Sequence, residues 1–371
     1  MASSSDWRPW TFDVSSLMIL ISEDEERNYR LSRRSLVQCL ATIPVVGLQN
    51  YIRSYNFLFE PENLAYFSPY GVKNAPLRNA RLANAIKHEG LLQDHRYTVF
   101  RIPPKSDSAY RKSSKSDISL LLWVTATWIF FAGLLVASSL IPRMTWVSTT
   151  TCAVFTSWSM LLRFIEYAHV QPAPVGKDTV TDSALPDAIF ILGRNNSAFV
   201  LEGSRKDIKD WTSRGLIYRQ DPLGIPSWAW HGFTRLGSLL VLLFVFSVIP
   251  NGSTGDQVVF ILLNTMAQLN VLVGQRLNGQ CSLSKLVKLE DEREPTRTHV
   301  YAKLLRRFDD AGKDWVDAAG LLPKTHVWDT WRTRVVSEKS ADPKVLYNEI
   351  ARGTLGHSKK ESGLSVTASP V

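Results

Sequence analysis

Cysteine is scarce in this chain of 371 residues: three occur, Cys39, Cys152 and Cys281, each more than a hundred residues from the next. With no CxxC pair, no Cys/His cluster and no even-numbered framework, a disulfide scaffold and a metal centre legible from spacing are both excluded. Each thiol is expected to be free and buried. The seven histidines are as scattered as the cysteines. Phosphate-binding signatures are missing too. The neighbourhoods of Gly193 and Gly203 carry neither the GxxxxGK[ST] spacing nor a GxGxxG after a strand. A secretory leader is not expected either. Ser16-Leu17-Met18-Ile19-Leu20-Ile21 is about half a signal core and runs into Glu23-Asp24-Glu25-Glu26. Targeting is therefore expected to fall to the first transmembrane helix, and the end of the chain, Ala-Ser-Pro-Val, matches no lipidation or retention signal.

The net charge is +9, and an excess of this size can mark a nucleic-acid binder. Here the basic residues are mixed with acids and flank apolar runs, a pattern that suits anionic lipid head groups and orientation in a membrane. No nucleic-acid partner is expected. Mean hydropathy is −0.07, the value of an average soluble protein. That average conceals a few long apolar runs.

The clearest run is residues 118–141, which contains no charge and reads LLLWVTATWIFFAGLLVASSLI over most of its length. As a helix it would extend about 36 Å, enough for a hydrocarbon core of about 30 Å. Pro142-Arg143 turns the chain into a second expected pass, 144–162, rich in hydroxyls: Thr145, Ser148, Thr149, Thr150, Thr151, Thr156, Ser157 and Ser159. Packing against the first pass is favoured over a pore-lining role for them. Arg163 and Glu166 mark the exit. A third pass is expected over 236–250, lengthened by Trp228, Trp230 and Phe233 as an interfacial belt, and a fourth over 257–274. Asn264, Gln268 and Gln275 form a polar stripe on the last of these, read as glue to a partner helix rather than a substrate path.

Basic residues crowd the segments before the first pass, between passes two and three, and after pass four; the two short turns hold only Arg143. The positive-inside rule places both termini and the central segment in the cytosol. The expected organisation is a cytosolic region 1–116, a transmembrane hairpin 117–163, a cytosolic segment 164–234, a second hairpin 235–275 and a cytosolic region 276–371. The fold class is mainly α. Residues 36–52 suit a surface or buried helix split by Pro44, and 103–116 a solvated linker. In the central segment, AIFIL (188–192) and AFVL (198–201) flank Gly193-Arg194-Asn195-Asn196-Ser197 as a hairpin, and a capped helix starts at Arg205, giving a small ββα element. Beyond pass four, 301–308, 314–323 and 326–332 read as helices, and the last dozen or so residues as disordered.

The blocks ILGRNNSAFVLEGSRKDIKDWTSRGLIY (191–218) and THVYAKLLRRFDDAGKDWVDAAGLLPKTHVW (298–328) resemble a family of fungal multi-pass membrane proteins of unknown function. The resemblance implies a fungal source and, through gene neighbourhood in some members, an association with secondary-metabolite enzymes. It transfers no functional residue.

Function is expected to be that of a non-catalytic membrane accessory or scaffold, with the bilayer and protein partners at the cytosolic regions. A membrane-embedded cyclase or transferase acting on a lipophilic intermediate is the alternative, and an oligomeric transporter or channel a further one. Embedded catalysis needs an acid, base or metal ligand, and the four passes hold no Asp, Glu, His or Lys; only Glu166, at a boundary, is a candidate acid. No catalytic, cofactor-binding or metal-binding residue is assigned. Of two Asn-x-Ser sequons, Asn195 is expected in the cytosol and Asn251 in a lumenal turn, so Asn251 is the expected N-glycosylation site of an endomembrane protein.

Overall fold

A computed structural model of the protein describes residue 30 and residues 63–104, 115–141, 144–173, 185–194, 196–219, 224–283, 285–312 and 314–362. The expected helix at 36–52, most of the linker and the expected disordered end lie outside these residues.

The centre of the fold is a six-stranded mixed sheet with the order β2-β1-β5-β6-β3-β8. Its strands are β1 (Ala65–Ser68), β2 (Lys73–Pro76), β3 (Arg96–Arg101), β5 (Pro186–Leu192), β6 (Ala198–Ser204) and β8 (Val287–Arg293). The expected hairpin is its middle: β5 and β6 pair antiparallel, with Ile189 opposite Leu201 and Ile191 opposite Phe199. β3 lies parallel to β6, Val99 beside Val200, and antiparallel to β8. β1 joins the far side of β5 through Phe67 and Phe190. The ββα element is thus not a free-standing unit but the core of a sheet that also draws strands from the N-terminal region and from the chain after the last long apolar helix. A separate ribbon pairs β4 (Val170–Pro172) with β7 (Leu216–Tyr218).

Both faces of the central strands are buried, as alternation in strands covered on two sides requires. On one face Tyr97, Val99, Phe190 and Val200 meet the C-terminal helices α7 (Arg297–Arg307), α8 (Asp314–Ala318), α9 (His326–Ser337) and α10 (Pro343–Ser362) through Leu304, Phe308, Trp315, Trp331 and Val335. On the other, Phe100, Ile189, Phe199 and Leu201 meet α1 (Ala80–His88) and α4 (Arg205–Ser213). Arg306 fastens the first layer by donating to the carbonyls of Val335, Glu338 and Ala341 around the end of α9. The helical tail of the sequence reading is therefore one wall of an α/β/α sandwich.

Four long helices complete the chain: α2 (Lys115–Leu140), α3 (Trp146–His169), α5 (Ser227–Val248) and α6 (Thr254–Leu283). Three of them, not four, are by themselves long and apolar enough to cross a membrane: 118–140, 227–251 (α5 with the short 3-10 turn Ile249–Asn251) and 254–277. The expected pass at 144–162 corresponds to α3, whose hydroxyls, with Arg163 and Glu166 in its last turns, leave it too polar to qualify alone. The expected third pass begins earlier, at Ser227, so that Trp228, Trp230 and Phe233 belong to the helix itself. The fourth is longer than expected and ends among the sheet's own core residues at Leu283.

The long helices pack as a bundle with hydroxyls and aromatics inside. Phe155 of α3 meets Phe260 of α6 with ring centroids 5.8 Å apart. Ser138 of α2 and Thr149 of α3 share a hydrogen bond of 3.3 Å. Trp158 of α3 lies over Gly237 of α5, where a Cβ would sit 1.9 Å from the indole, and its Nε1 donates to Ser238 Oγ. Cys152, the one cysteine whose burial the structure describes, is buried in this core. Outward positions are apolar instead: Leu121, Ile129 and Val136 on α2, Leu161 and Phe164 on α3, Leu240 and Leu243 on α5, Leu262 and Leu269 on α6.

Candidate functional site

Three polar assemblies stand out. The first lies where both helical connections meet, at the end of the bundle remote from the sheet. Asp256, in the first turn of α6, is only 2% exposed. It accepts from the backbone N–H of Thr145, Ser148 and Ser253 and from the hydroxyls of Thr145 and Ser253, over distances of 2.7 to 3.2 Å. One carboxylate therefore satisfies open donors at the starts of both α3 and α6, where backbone N–H groups have no helical partner. The sequon at Asn251 is built into the same cap. Asn251 is exposed, its Nδ2 donating to Ser247 O at 2.7 Å, while the sequon serine, Ser253, holds Asp256. Asn195 lies outside the described residues. Its sequon partner Ser197 is buried, with its hydroxyl on Leu92 O.

The second assembly sits at the sheet end of the bundle. Glu166, the candidate acid, has Oε2 3.0 Å from Arg30 Nε and 3.1 Å from Arg163 Nη1, with both arginines almost fully buried. It is one carboxylate of a buried ion-pair cluster. Next to it the His169 ring meets Trp230 edge-on at 5.5 Å, and Tyr218 meets His231 at 5.8 Å. Burial pushes the Tyr218 phenol up to about 12, so it stays neutral. The polar stripe of α6 divides: Asn264 donates back to Phe260 O in its own helix, and Gln268 and Gln275 are half-buried. An interhelical bond also forms at Asn270, outside the expected stripe. Asn270 Oδ1 accepts from Trp123 Nε1 of α2 at 2.8 Å.

The third assembly is a cleft of about 420 Å³ at the carboxyl ends of the parallel strands β3 and β6, where α4 begins. A tight turn from strand to helix creates it. Ser204 ends β6 and caps α4, accepting from Asp207 N and donating to Asp207 Oδ2 at 2.6 Å. Gly203 approaches Ile102 so closely that a Cβ would lie 3.1 Å from the isoleucine side chain. The charged lining is Arg101, Asp187, Glu202, Asp207 and Arg307, and the apolar walls are Tyr70, Ile102, Pro104 and Phe308. Arg307 bridges Glu202 and Glu290 at 2.6 Å each, and Arg101 reaches Glu202 at 3.1 Å. The paired carboxylates hold the Arg307 guanidinium charged against its burial. Asp187 is different: burial raises its pKa, opposed only in part by hydrogen bonds from Ala188 N and Ser68 Oγ. The sequence marks this place only as a capped helix start at Arg205; the other walls come from positions as distant as 70 and 308, with no local signal linking them.

Among the described residues no group of three or more His, Cys, Asp or Glu side chains is placed to hold a metal ion. Comparison with protein-family models, with curated proteins and with solved structures finds no match.

Proposed function

We propose that this chain is a four-pass, non-catalytic membrane protein, an accessory or scaffold whose working part is the α/β/α sandwich on the cytosolic side. The observation that carries the reading is the parentage of the sheet. β3 and β5 lie on either side of α2–α3 in the sequence, and β6 and β8 on either side of α5–α6, yet all four strands belong to one sheet. A chain that leaves a sheet to enter a bilayer and then contributes another strand to it must return to the same side. Each helical pair therefore crosses an even number of times, and α3 is the return of α2.

The polarity of α3 is compatible with that role. Thr150 and Ser157 donate back to carbonyls of their own helix, Ser148, Thr151, Thr156 and Ser159 are buried against its neighbours, and Ala153, Leu161 and Phe164 face outward. Its 24 residues extend about 36 Å, sufficient for the hydrocarbon core. The distribution of Lys and Arg favours both termini and the sandwich on the cytosolic side of an endomembrane. Glu166 between two arginines, and Asp256 among five donors, act as structural ties, which supports an accessory role over embedded acid–base chemistry.

The association with fungal secondary metabolism remains part of the proposal through the resemblance alone. A deletion strain tests the functional half. Lower yield of an end product without a new intermediate is the expected result; accumulation of an intermediate would instead assign the chain a chemical step.

A further inference from the structure

The cleft above β3 and β6 has more negative charge than its own cations neutralise. Its two guanidiniums, Arg101 and Arg307, are matched by two carboxylates, Glu202 in the lining and Glu290 beside it. Asp187 and Asp207 remain. Neither forms an ion pair among the described residues. Both hydrogen bonds to Asp187, from Ser68 Oγ at 3.0 Å and Ala188 N at 2.8 Å, fall on Oδ1. Asp207 accepts from Ser204 Oγ through Oδ2. Each aspartate thus keeps an oxygen outside these bonds, and the charge of Arg205 favours ionised Asp187 without forming an ion pair with it. Against these two groups stand aromatic walls, the rings of Tyr70 and Phe308 at right angles with centroids 6.3 Å apart.

We propose that this cleft is a binding site for a small organic cation, a primary amine or guanidinium carried on an apolar stem, with its charge facing Asp187 and Asp207 and its stem against Tyr70 and Phe308. The chemistry favours such a ligand on three grounds. A half-buried carboxylate without a counter-ion is destabilised by lost hydration, and an ammonium or guanidinium supplies both the charge and several N–H donors. An aromatic face adds attraction for a cation and contact for its stem. The position matches the general preference of open sheets for ligands at the carboxyl ends of parallel strands, and the volume falls in the range of about 300–1,000 Å³ typical of small-molecule sites. Asp187 is also raised by burial, the direction expected of a carboxylate awaiting a counter-charge.

The inference adds a ligand to the sandwich and does not depend on how many helices cross the membrane. Full-length protein in lipid nanodiscs would be titrated calorimetrically with agmatine, which carries an amine and a guanidinium on one stem, and in parallel with inorganic phosphate. Saturable agmatine binding is expected, weakened at least about tenfold by Asp187→Asn and by Asp207→Asn, and a few-fold by Tyr70→Leu, which leaves both carboxylates in place. Near-ultraviolet circular dichroism reports whether each variant is folded; Asp207→Asn carries the comparison if Asp187→Asn is not. Absence of saturable agmatine binding to the folded wild type would overturn the proposal. So would agmatine binding indifferent to the carboxylates, or binding of phosphate in its place.

Discussion

Single side chains bind the two ends of the bundle. Asp256 is the strongest such tie, because one buried carboxylate answers five donors from two helix starts. Replacing it with alanine strands those donors, and a loss of about 3 kcal/mol in unfolding free energy in detergent is expected, read from denaturant titration. A variant as stable as wild type would show that water replaces the carboxylate there. Asn270 and Asn264 form a sharper pair. Asn270→Leu breaks the bond to Trp123 between α2 and α6 and should cost about 1–2 kcal/mol, whereas Asn264→Leu removes only a bond within its own helix and should cost less than about 0.5 kcal/mol. Equal losses would mean that the two helices are held by area alone. At the sheet, Arg96 holds the Asp291 carboxyl at about 2. Because the folded value lies below the ordinary one, this pair stabilises at neutral pH, and its contribution is lost as pH falls from the ordinary carboxyl value through about 2. Asp291→Asn should flatten stability against pH in that acid window and leave its shape above pH 5 unchanged.

At the scale of elements, legibility followed burial and local turn chemistry. α2 could be read directly because it is a long uncharged run. β5, β6 and α4 could be read because Gly193-Arg194-Asn195-Asn196-Ser197 separates two apolar runs and Ser204 caps the helix that follows. The outer strands could not. β2 is Lys-Asn-Ala-Pro and β8 is Val-Lys-Leu-Glu-Asp-Glu-Arg, both mostly exposed and at the two edges of the sheet. Edge strands carry charge and proline because these discourage pairing with other chains, which removes the alternation that identifies a strand. β1 is four residues long, pairs along its length with the equally unmarked β2, and joins β5, more than a hundred residues away, at Phe67 and Phe190. The cleft was illegible for the same reason, since its walls meet only when the sheet closes. α3 shows the opposite limit: 144–162 reads as a pass, yet the helix there is too rich in hydroxyls to qualify as a span by its own composition. Its close approach to α5 at Gly237 gives a test of that packing. Gly237→Val would drive a branched side chain into the Trp158 indole, and a loss of several kcal/mol or failure to fold is expected. A variant of unchanged stability would show that α3 and α5 are not in contact.

In the proposed topology the whole molecule is a sheet interrupted twice by membrane hairpins, so the fold of the soluble part and the topology of the membrane part constrain each other. Strands on both sides of each hairpin permit only even numbers of crossings. N-glycosylation offers one view of the resulting sidedness: Asn251 should be modified in part, because its turn is short and Ser253 is engaged with Asp256, and Asn195 should not be modified. Endoglycosidase shifts on Asn251→Gln and Asn195→Gln variants would read this, and a sugar on Asn195 would reverse the orientation. Cysteine accessibility is more direct because it needs no modifying enzyme. In a background with the three native cysteines replaced by serine, single cysteines at Arg143, Arg194, Asn251 and Lys344 would be treated with a membrane-impermeant maleimide in sealed microsomes, before and after permeabilisation. Even crossings predict that positions 194 and 344 react at once and that 143 and 251 react only after permeabilisation. Positions 143 and 194 on the same side of the membrane, or 194 and 344 on opposite sides, would contradict the paired crossings and with them the four-pass protein.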